Sequence, residues 1–206
     1  MAGGLRLSRP PAALARAQAG WIAAMDPWRT LGYRPEALGR YLARKAAARC
    51  VWIAQSERAA PQAVVVADDG FLLGGFIALL AVRPEASGQG LGRALVEHVA
   101  AEVFSKRRWL FVSCDGNNRA ALRFYRRLGF VRVGRLPDLV RAGNVEILLR
   151  KPASPAVRST VKSASKPAPP TPRRSKPRQA LAARARPGGT KIPAVAGPVG
   201  YHRGRS

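Results

Sequence analysis

The sequence predicts a mixed α/β fold: one central mixed sheet flanked by about four helices, followed by a disordered basic C-terminal tail. Three observations lead there. Apolar runs of strand length alternate with helical patterns over the first three quarters of the chain. One such run, Gly75–Val82, feeds a glycine-rich turn that opens directly onto an amphipathic helix. Beyond Lys151 the composition shifts to Pro, Lys, Arg and Ala with no acidic residue.

Taken in order, a short strand at about residues 4–8 precedes a helix through Pro10–Met25, with Leu14, Ala17, Trp21 and Met25 on one stripe. Proline and glycine break the pattern at Asp26-Pro-Trp-Arg-Thr-Leu-Gly-Tyr33. Pro35 opens a second helix to about Arg49, since proline suits a first helical turn. Cys50–Ala54 and Ala63–Ala67 read as strands joined by a polar loop, and Asp68-Asp-Gly70 reads as a turn. The continuous apolar run of Gly75–Val82 suits the centre of a sheet. A third helix spans about Gly92–Phe104, and Trp109–Cys114 is the next strand. A fourth helix follows Asn118, a residue type suited to capping, and Gly129 ends it. Phe130–Leu136 and Val145–Arg150 form a closing hairpin around the loop Pro137–Asn144. The expected division is a folded domain over 1–151 and a tail over 152–206.

The 206 residues suffice for one globular domain with a real core. Their 36 Lys and Arg against 11 Asp and Glu leave a formal net charge of +25. All the acids lie between Asp26 and Glu146, so the tail is uniformly cationic, with thirteen Lys and Arg from Lys151 onward. Ten of the 17 prolines also fall there. Such a segment cannot bury enough apolar surface to offset chain entropy. Its cations fit a nonspecific hold on nucleic acid or ribosome, with strong salt dependence. The plain alternative is a solvated tail of biased composition, because no interleaved aromatics argue for base recognition.

Cys50 and Cys114 lie in strand-like runs without CxxC spacing, and His98 and His202 form no metal motif, so no metal is expected. Reduced buried thiols, the lack of a secretory apolar core and the lack of a membrane-length run give a cytoplasmic expectation with no membrane role. The acid-poor start, with Arg6, Arg9 and Arg16, is faintly similar to an organellar transit peptide, but Gly4–Ser8 fits the first strand. No feature sets an oligomeric state.

The turn Ser87-Gly-Gln-Gly-Leu-Gly-Arg93 carries the chemistry. A helix start leaves N–H groups unpaired and partly positive, which suits a phosphate, and Gly88, Gly90 and Gly92 allow close approach to the main chain. A Walker loop would need Gly-Lys-Ser/Thr, whereas Arg93-Ala94 follows Gly92. A dinucleotide fingerprint would need one more residue in its second gap and a later acid. A tight strand-to-helix turn without ligand remains the bland reading.

Two patterns together sharpen it: Val-x-Pro-x-x-x-Gly-x-Gly-x-Gly-x-x-Leu over 82–95, and Asn-x-x-Ala-x-x-Phe-Tyr-x-x-x-Gly-Phe over 118–130. In order, spacing and flanking strands, roughly residues 5–151 resemble the GNAT-type N-acetyltransferase superfamily. The resemblance implies the acyl-CoA N-acyltransferase fold and acetyl-CoA as cosubstrate, with an amine as acceptor and direct transfer of the acetyl group. It implies a cofactor site at Ala81, Val82, Arg83, Gly88, Gln89, Gly90, Leu91, Gly92, Arg93, Asn118, Ala121 and Tyr125. Within it, the strand at Leu80–Arg83 would diverge from Trp109–Cys114, a backbone N–H near Val82 would polarise the thioester carbonyl, and Tyr125 would protonate the leaving thiolate. An aromatic packed on the inner helix face is the plain alternative for Tyr125, as a simple cap is for Asn118.

Two departures from the family pattern stand out. Ser87 occupies a position where members often carry Gln or Arg; Arg83, Arg93, Arg126 and Arg127 could compensate. The strand Gly75–Val82 has no acid, and Ala78 stands where a general base is expected. Asp26, Asp138 and Glu146 are the candidate bases, each also explicable as a cap, turn or surface charge. The acceptor is expected between the first helices and the Pro137–Asn144 loop, lined by Asp26, Trp28, Tyr33 and Asp138, for which packing and turn chemistry are the alternative. Two rival functions follow: a catalytically weak acyl-CoA-binding module, and a polyanion-binding protein acting through its tail.

Overall fold

The computed structural model describes residues 5–56 and 60–153. The expected tail from 154 onward therefore lies outside the described residues. The elements run β1 (Leu5–Ser8), α1 (Ala12–Ala17), α2 (Ala19–Ala23), α3 (Pro35–Ala43), β2 (Arg49–Ser56), β3 (Ala63–Phe71), β4 (Gly74–Val82), a 3-10 turn (Pro84–Ala86), α4 (Leu91–Phe104), β5 (Trp109–Asp115), α5 (Arg119–Arg127), β6 (Val131–Pro137) and β7 (Val145–Pro152). All seven strands join one sheet in the order β1-β2-β3-β4-β5-β7-β6. Its pairs are antiparallel except β4 with β5, so the sheet is mixed, as the sequence predicts.

Strand alternation divides the interior into two layers. Ile77, Leu80 and Val82 of β4 join Leu110, Val112 and Cys114 of β5 in a core covered by α4 and α5. Ala78, Leu79 and Ala81 face the other way, against α1, α2 and α3, where Ile22, Trp28, Leu38 and Leu42 are buried. Both layers close on the middle of the sheet, which explains the unbroken apolar run of β4.

The helix expected over Pro10–Met25 is interrupted at Gln18, which is buried and ties the two halves together. Its amide donates to the Leu14 carbonyl at 2.8 Å and accepts from Trp21 Nε1 at 3.0 Å. The buried face is Ala15, Ala19, Ile22 and Ala23 rather than the expected stripe, and Ala17 is exposed. Close crossing of small residues sets this choice. A Cβ on Gly39 of α3 would stand 2.9 Å from Arg16 Cγ and 3.6 Å from Ala19 Cβ, so no bulky stripe fits there. Leu14, Trp21 and Met25 pack at the rim instead.

The second helix stops at Ala43, six residues short of the expected end, where Arg44 turns extended. Arg49 is drawn into β2, bonded to Asp68 at 3.1 Å and stacked 4.0 Å over the Tyr41 ring. Asp68-Asp-Gly70 is likewise strand rather than turn, because Asp68 holds Arg49 and Asp69 holds Arg107 at 2.7 Å. The reversal falls at Leu72 and Leu73, with φ of 42° and 63°.

The parallel pairing of β4 with β5 covers only Gly74–Ile77 against Trp109–Val112. On the other edge of β4 the register to β3 jumps, from Ala67 opposite Ile77 to Val66 opposite Leu79. Ala78 is thus the extra residue of a β-bulge, which bends the strand and raises its twist. From the bulge onward β4 and β5 separate, as the family resemblance implies.

Candidate active site

The glycine turn lies at the mouth of that separation. Gly88 and Gly90 both have φ of 82°, a left-handed conformation that costs glycine nothing and other residues about 1 kcal/mol or more. Gly90 starts α4 without a side-chain cap, so the first amides of the helix point outward. Ser87 Oγ is buried beside them and has no hydrogen-bond partner. A Cβ on Gly92 would come within 3.3 Å of Val82 and 3.5 Å of the Phe124 ring, so this glycine sets how closely α4 approaches β4 and α5.

Between α4 and α5 runs a groove of about 800 Å³. One wall is Ser87, Gly88, Gly90, Gly92 and Arg93; the other is Arg123, Phe124 and Arg127. Main-chain amides, a free hydroxyl and cations thus meet on one concavity, the donor set that a diphosphate needs. Val82, Leu91 and the turn glycines were all expected there. Gln89 is at the turn, its amide reaching back to the Glu85 carbonyl at 3.4 Å.

Other expected cofactor residues are placed differently. Arg83 leaves the groove: it bonds the Pro61 carbonyl at 3.1 Å and stacks 4.9 Å over Trp21. The side chain of Ala81 faces the α1–α3 layer, and Ala121 is buried on the inner face of α5. Asn118 caps α5, accepting from the Ala121 N–H at 2.9 Å. Of the four arginines expected to compensate for Ser87, Arg93 and Arg127 line the groove, whereas Arg83 and Arg126 do not. Arg123 lines the groove outside the expected set. Its signal was available: Arg123 and Arg127 are four residues apart and share a helix face.

Tyr125 is fully buried, edge-on to Phe124 at 5.1 Å and Phe130 at 5.3 Å between ring centroids. Its hydroxyl has no partner. Burial, and secondarily the Cys114 thiol, push its pKa well above the usual tyrosine value, so the phenol keeps its proton. Burial also lifts Cys114 to about 12. The Arg83 N–H bonds the Gln62 carbonyl on the β3 side at 2.8 Å. Successive strand N–H groups alternate, so that of Val82 faces the edge that β5 has left.

On the opposite face of the sheet the expected acceptor lining divides. Trp28 is 1% exposed and belongs to the core. Asp26 is occupied by Arg29 at 2.7 Å and the Thr30 hydroxyl at 2.6 Å, and these bonds hold its carboxyl below the ordinary range. Asp138 has φ of 57° and accepts from the Gly143 N–H at 2.7 Å, closing the β6–β7 loop. Tyr33 is half-buried, its pKa raised mainly by burial and further by Tyr41 and Glu146. Glu146, opposite Asp115 on β5, is 3% exposed, and its Oε2 has no partner. Among the described residues no cluster of His, Cys, Asp and Glu is arranged for a metal, and no helix is long and apolar enough to cross a membrane.

Residues 36–132 match the family model described as an acetyltransferase (GNAT) domain. No curated protein matches the chain. Among solved structures, a Desulfovibrio desulfuricans protein assigned to the GNAT acetyltransferases superposes with a TM-score of 0.59 at 22% identity, over 72% of this chain and 99% of that one. The ribosomal-protein-S18-alanine N-acetyltransferase of Escherichia coli gives 0.58 at 18%, over 72% and 94%. A spermidine N-acetyltransferase chimera from Vibrio cholerae and a human enzyme gives 0.60 at 13%, over 77% and 99%. Residues 36–132 thus match a GNAT acetyltransferase domain, and the described residues share the fold of these GNAT structures.

Proposed function

We propose that this protein is an N-acetyltransferase that moves an acetyl group from acetyl-CoA to a primary amine by direct transfer. The observation that carries the reading is the joining of two features: an outward-facing amide nest at the start of α4, and a gap between β4 and β5 leading from it. The residues fit the cosubstrate. The nest, Ser87 Oγ, Arg123 and Arg127 would hold the diphosphate and its neighbouring phosphate, and the open edge of β4 would pair with the extended arm.

Acetyl-CoA would supply an activated acetyl thioester. The Val82 N–H, aimed into the gap, would donate to its carbonyl oxygen, an interaction that strengthens as negative charge develops. Tyr125 would give its proton to the leaving sulfur, the role that the family resemblance implies for it. The amine would enter from the Tyr33 and Glu146 face, opposite α4 and α5. The cationic tail lies outside this chemistry; its role would be to hold the enzyme on a polyanion such as nucleic acid or ribosome.

Calorimetry with acetyl-CoA, followed by thiol release with a panel of amines, tests the reading. The panel includes spermidine, an alanine-ended peptide and a lysine-containing peptide. Saturable binding and release with at least one amine are expected. Binding without release from any amine would favour a silent acyl-CoA-binding module, and no binding at millimolar acetyl-CoA would overturn the reading.

A further inference from the structure

We propose that Glu146 is the base that takes the proton from the incoming ammonium, an assignment that rests on the acetyltransferase reading above. Among the described residues every other buried or half-buried carboxylate has a cation or a set of amide donors. Asp68 is paired with Arg49, Asp69 with Arg107 and Glu102 with Arg9. Asp115 accepts from the Asn117 N–H at 2.7 Å and from Asn144 at 3.1 Å. Glu146 is the exception: it is more deeply buried than any of them, has no ion-pair partner, and carries an oxygen with no hydrogen bond. Leaving such a group unpaired is destabilising, so the arrangement persists against stability.

Its position makes use of that cost. The register places Glu146 opposite Asp115, beyond Val112, where β5 has already lost its pairing with β4. Alternation along β5 and β7 puts Glu146, Asp115 and Ser113 on one face, away from Cys114 and Ile147 in the α4–α5 core. Ser113 Oγ is also buried without a partner, near the Glu146 carboxylate but outside bonding geometry. Two orphaned oxygens are therefore buried on neighbouring strands, β5 and β7, on the sheet face away from the α4–α5 core. The strand that lacks the expected acid, with Ala78 at its bulge, is relieved of that role by a carboxylate two strands away.

The surroundings set the proton affinity. Burial raises the Glu146 pKa to about 7, with a smaller rise from Asp115, against a lowering by the Ser113 hydroxyl. Tyr33, in the segment before α3, is near enough for the Glu146 charge to be felt, and Cys114 lies on the other side of β5; both are neutral near pH 7. β6 sets Leu136 opposite it, and the flanking Arg135 makes no ion pair with it. A base of this strength accepts a proton from an ammonium and still returns it to water.

In the step, one N–H bond of the ammonium breaks and its proton goes to Glu146 Oε2. The freed nitrogen pair forms the N–C bond, the C–S bond breaks, and sulfur leaves with the electron pair. Sulfur takes a proton from Tyr125, which regains one from the nitrogen of the new amide. Glu146 later yields its proton to solvent.

The test compares wild type with Glu146→Gln, a nearly isosteric change. Three readouts are used: acetyl-CoA affinity by calorimetry, kcat/KM against pH with the best amine of the panel, and the glutamate side-chain carboxyl titration by 13C NMR. The assignment expects unchanged affinity, a loss of kcat/KM of about 10²-fold or more, and disappearance of an acidic limb near pH 7. It also expects one carboxyl midpoint near 7 that vanishes in the variant. Full turnover with the acidic limb intact, or a Glu146 midpoint in the ordinary carboxylate range, overturns the assignment while leaving the acetyltransferase reading untouched. Failure of wild type to bind acetyl-CoA overturns the reading itself.

Discussion

Replacing Tyr125 with Phe should stabilise the protein while slowing it. The ring contacts survive the change, since both aromatic neighbours meet the ring and not the hydroxyl. What is lost is one oxygen, fully buried and without a partner. An unsatisfied buried hydroxyl costs about 1–3 kcal/mol, so its removal should return a gain of that order. For a folded body of this size each kcal/mol moves Tm by about 2–4 °C, which puts the rise between about 2 and 12 °C. Turnover should fall by about 10²-fold if the phenol delivers the proton to sulfur, with little change in acetyl-CoA affinity. Thermal unfolding followed by circular dichroism and a thiol-release assay on the same preparation measure both. A variant less stable than wild type by 1 kcal/mol or more, with turnover intact, would show that the hydroxyl is bonded in the fold and idle in the chemistry.

The remaining expectations concern charge and backbone. Glu146 binds protons more tightly folded than unfolded, so its contribution to stability declines as pH rises from the ordinary 4.5 through about 7. Glu146→Gln should therefore raise stability at pH 8, by up to about 3 kcal/mol, and leave it nearly unchanged at pH 4, as denaturant melts at the two pH values would show. Arg123→Ala and Arg127→Ala, both exposed on the groove wall, should each weaken acetyl-CoA binding several-fold, about 0.5–1 kcal/mol, and less at high salt; calorimetry at two ionic strengths decides. Gly90→Ala meets no atom within 4 Å, so its cost is the left-handed backbone alone, about 1 kcal/mol, with a matching loss of acetyl-CoA affinity. Removing residues 154–206 should abolish a steeply salt-dependent gel shift with nucleic acid; equal binding without them would discharge the tail from that role.

Where sequence and structure agree, a local rule was sufficient. Asn118 is a cap in both because its carbonyl reaches the third amide of its own helix. The turn glycines are read from sequence because few other residues accept their φ. Elsewhere tertiary contacts decided. In an alanine-rich helix every face is nearly apolar, so periodicity gave the Leu14–Met25 stripe, whereas the close approach of Gly39 selected Ala15, Ala19 and Ile22. Asp68 and Asp69 resemble turn residues until Arg49 and Arg107 are placed beside them. The true reversal uses Leu72 and Leu73, for which no turn rule exists.

The site follows the same division. The proposed phosphate nest, the turn Ser87–Arg93, is contiguous in sequence and legible as a motif. The proposed acceptor side is not, because its residues come from separate elements of the chain. Trp28 looked like a lining residue and is core, while Glu146, indistinguishable in sequence from Asp26 or Asp138, is set apart by burial and a missing partner.

The central claim is that the amides at the start of α4 hold the diphosphate of the cosubstrate. An amide-resolved NMR titration of the full chain with acetyl-CoA tests it most directly. The account predicts large, saturable shifts at Gly88, Gly90, Leu91 and Gly92, with smaller ones along the open edge of β4. Saturation of binding with those amides unmoved would contradict it.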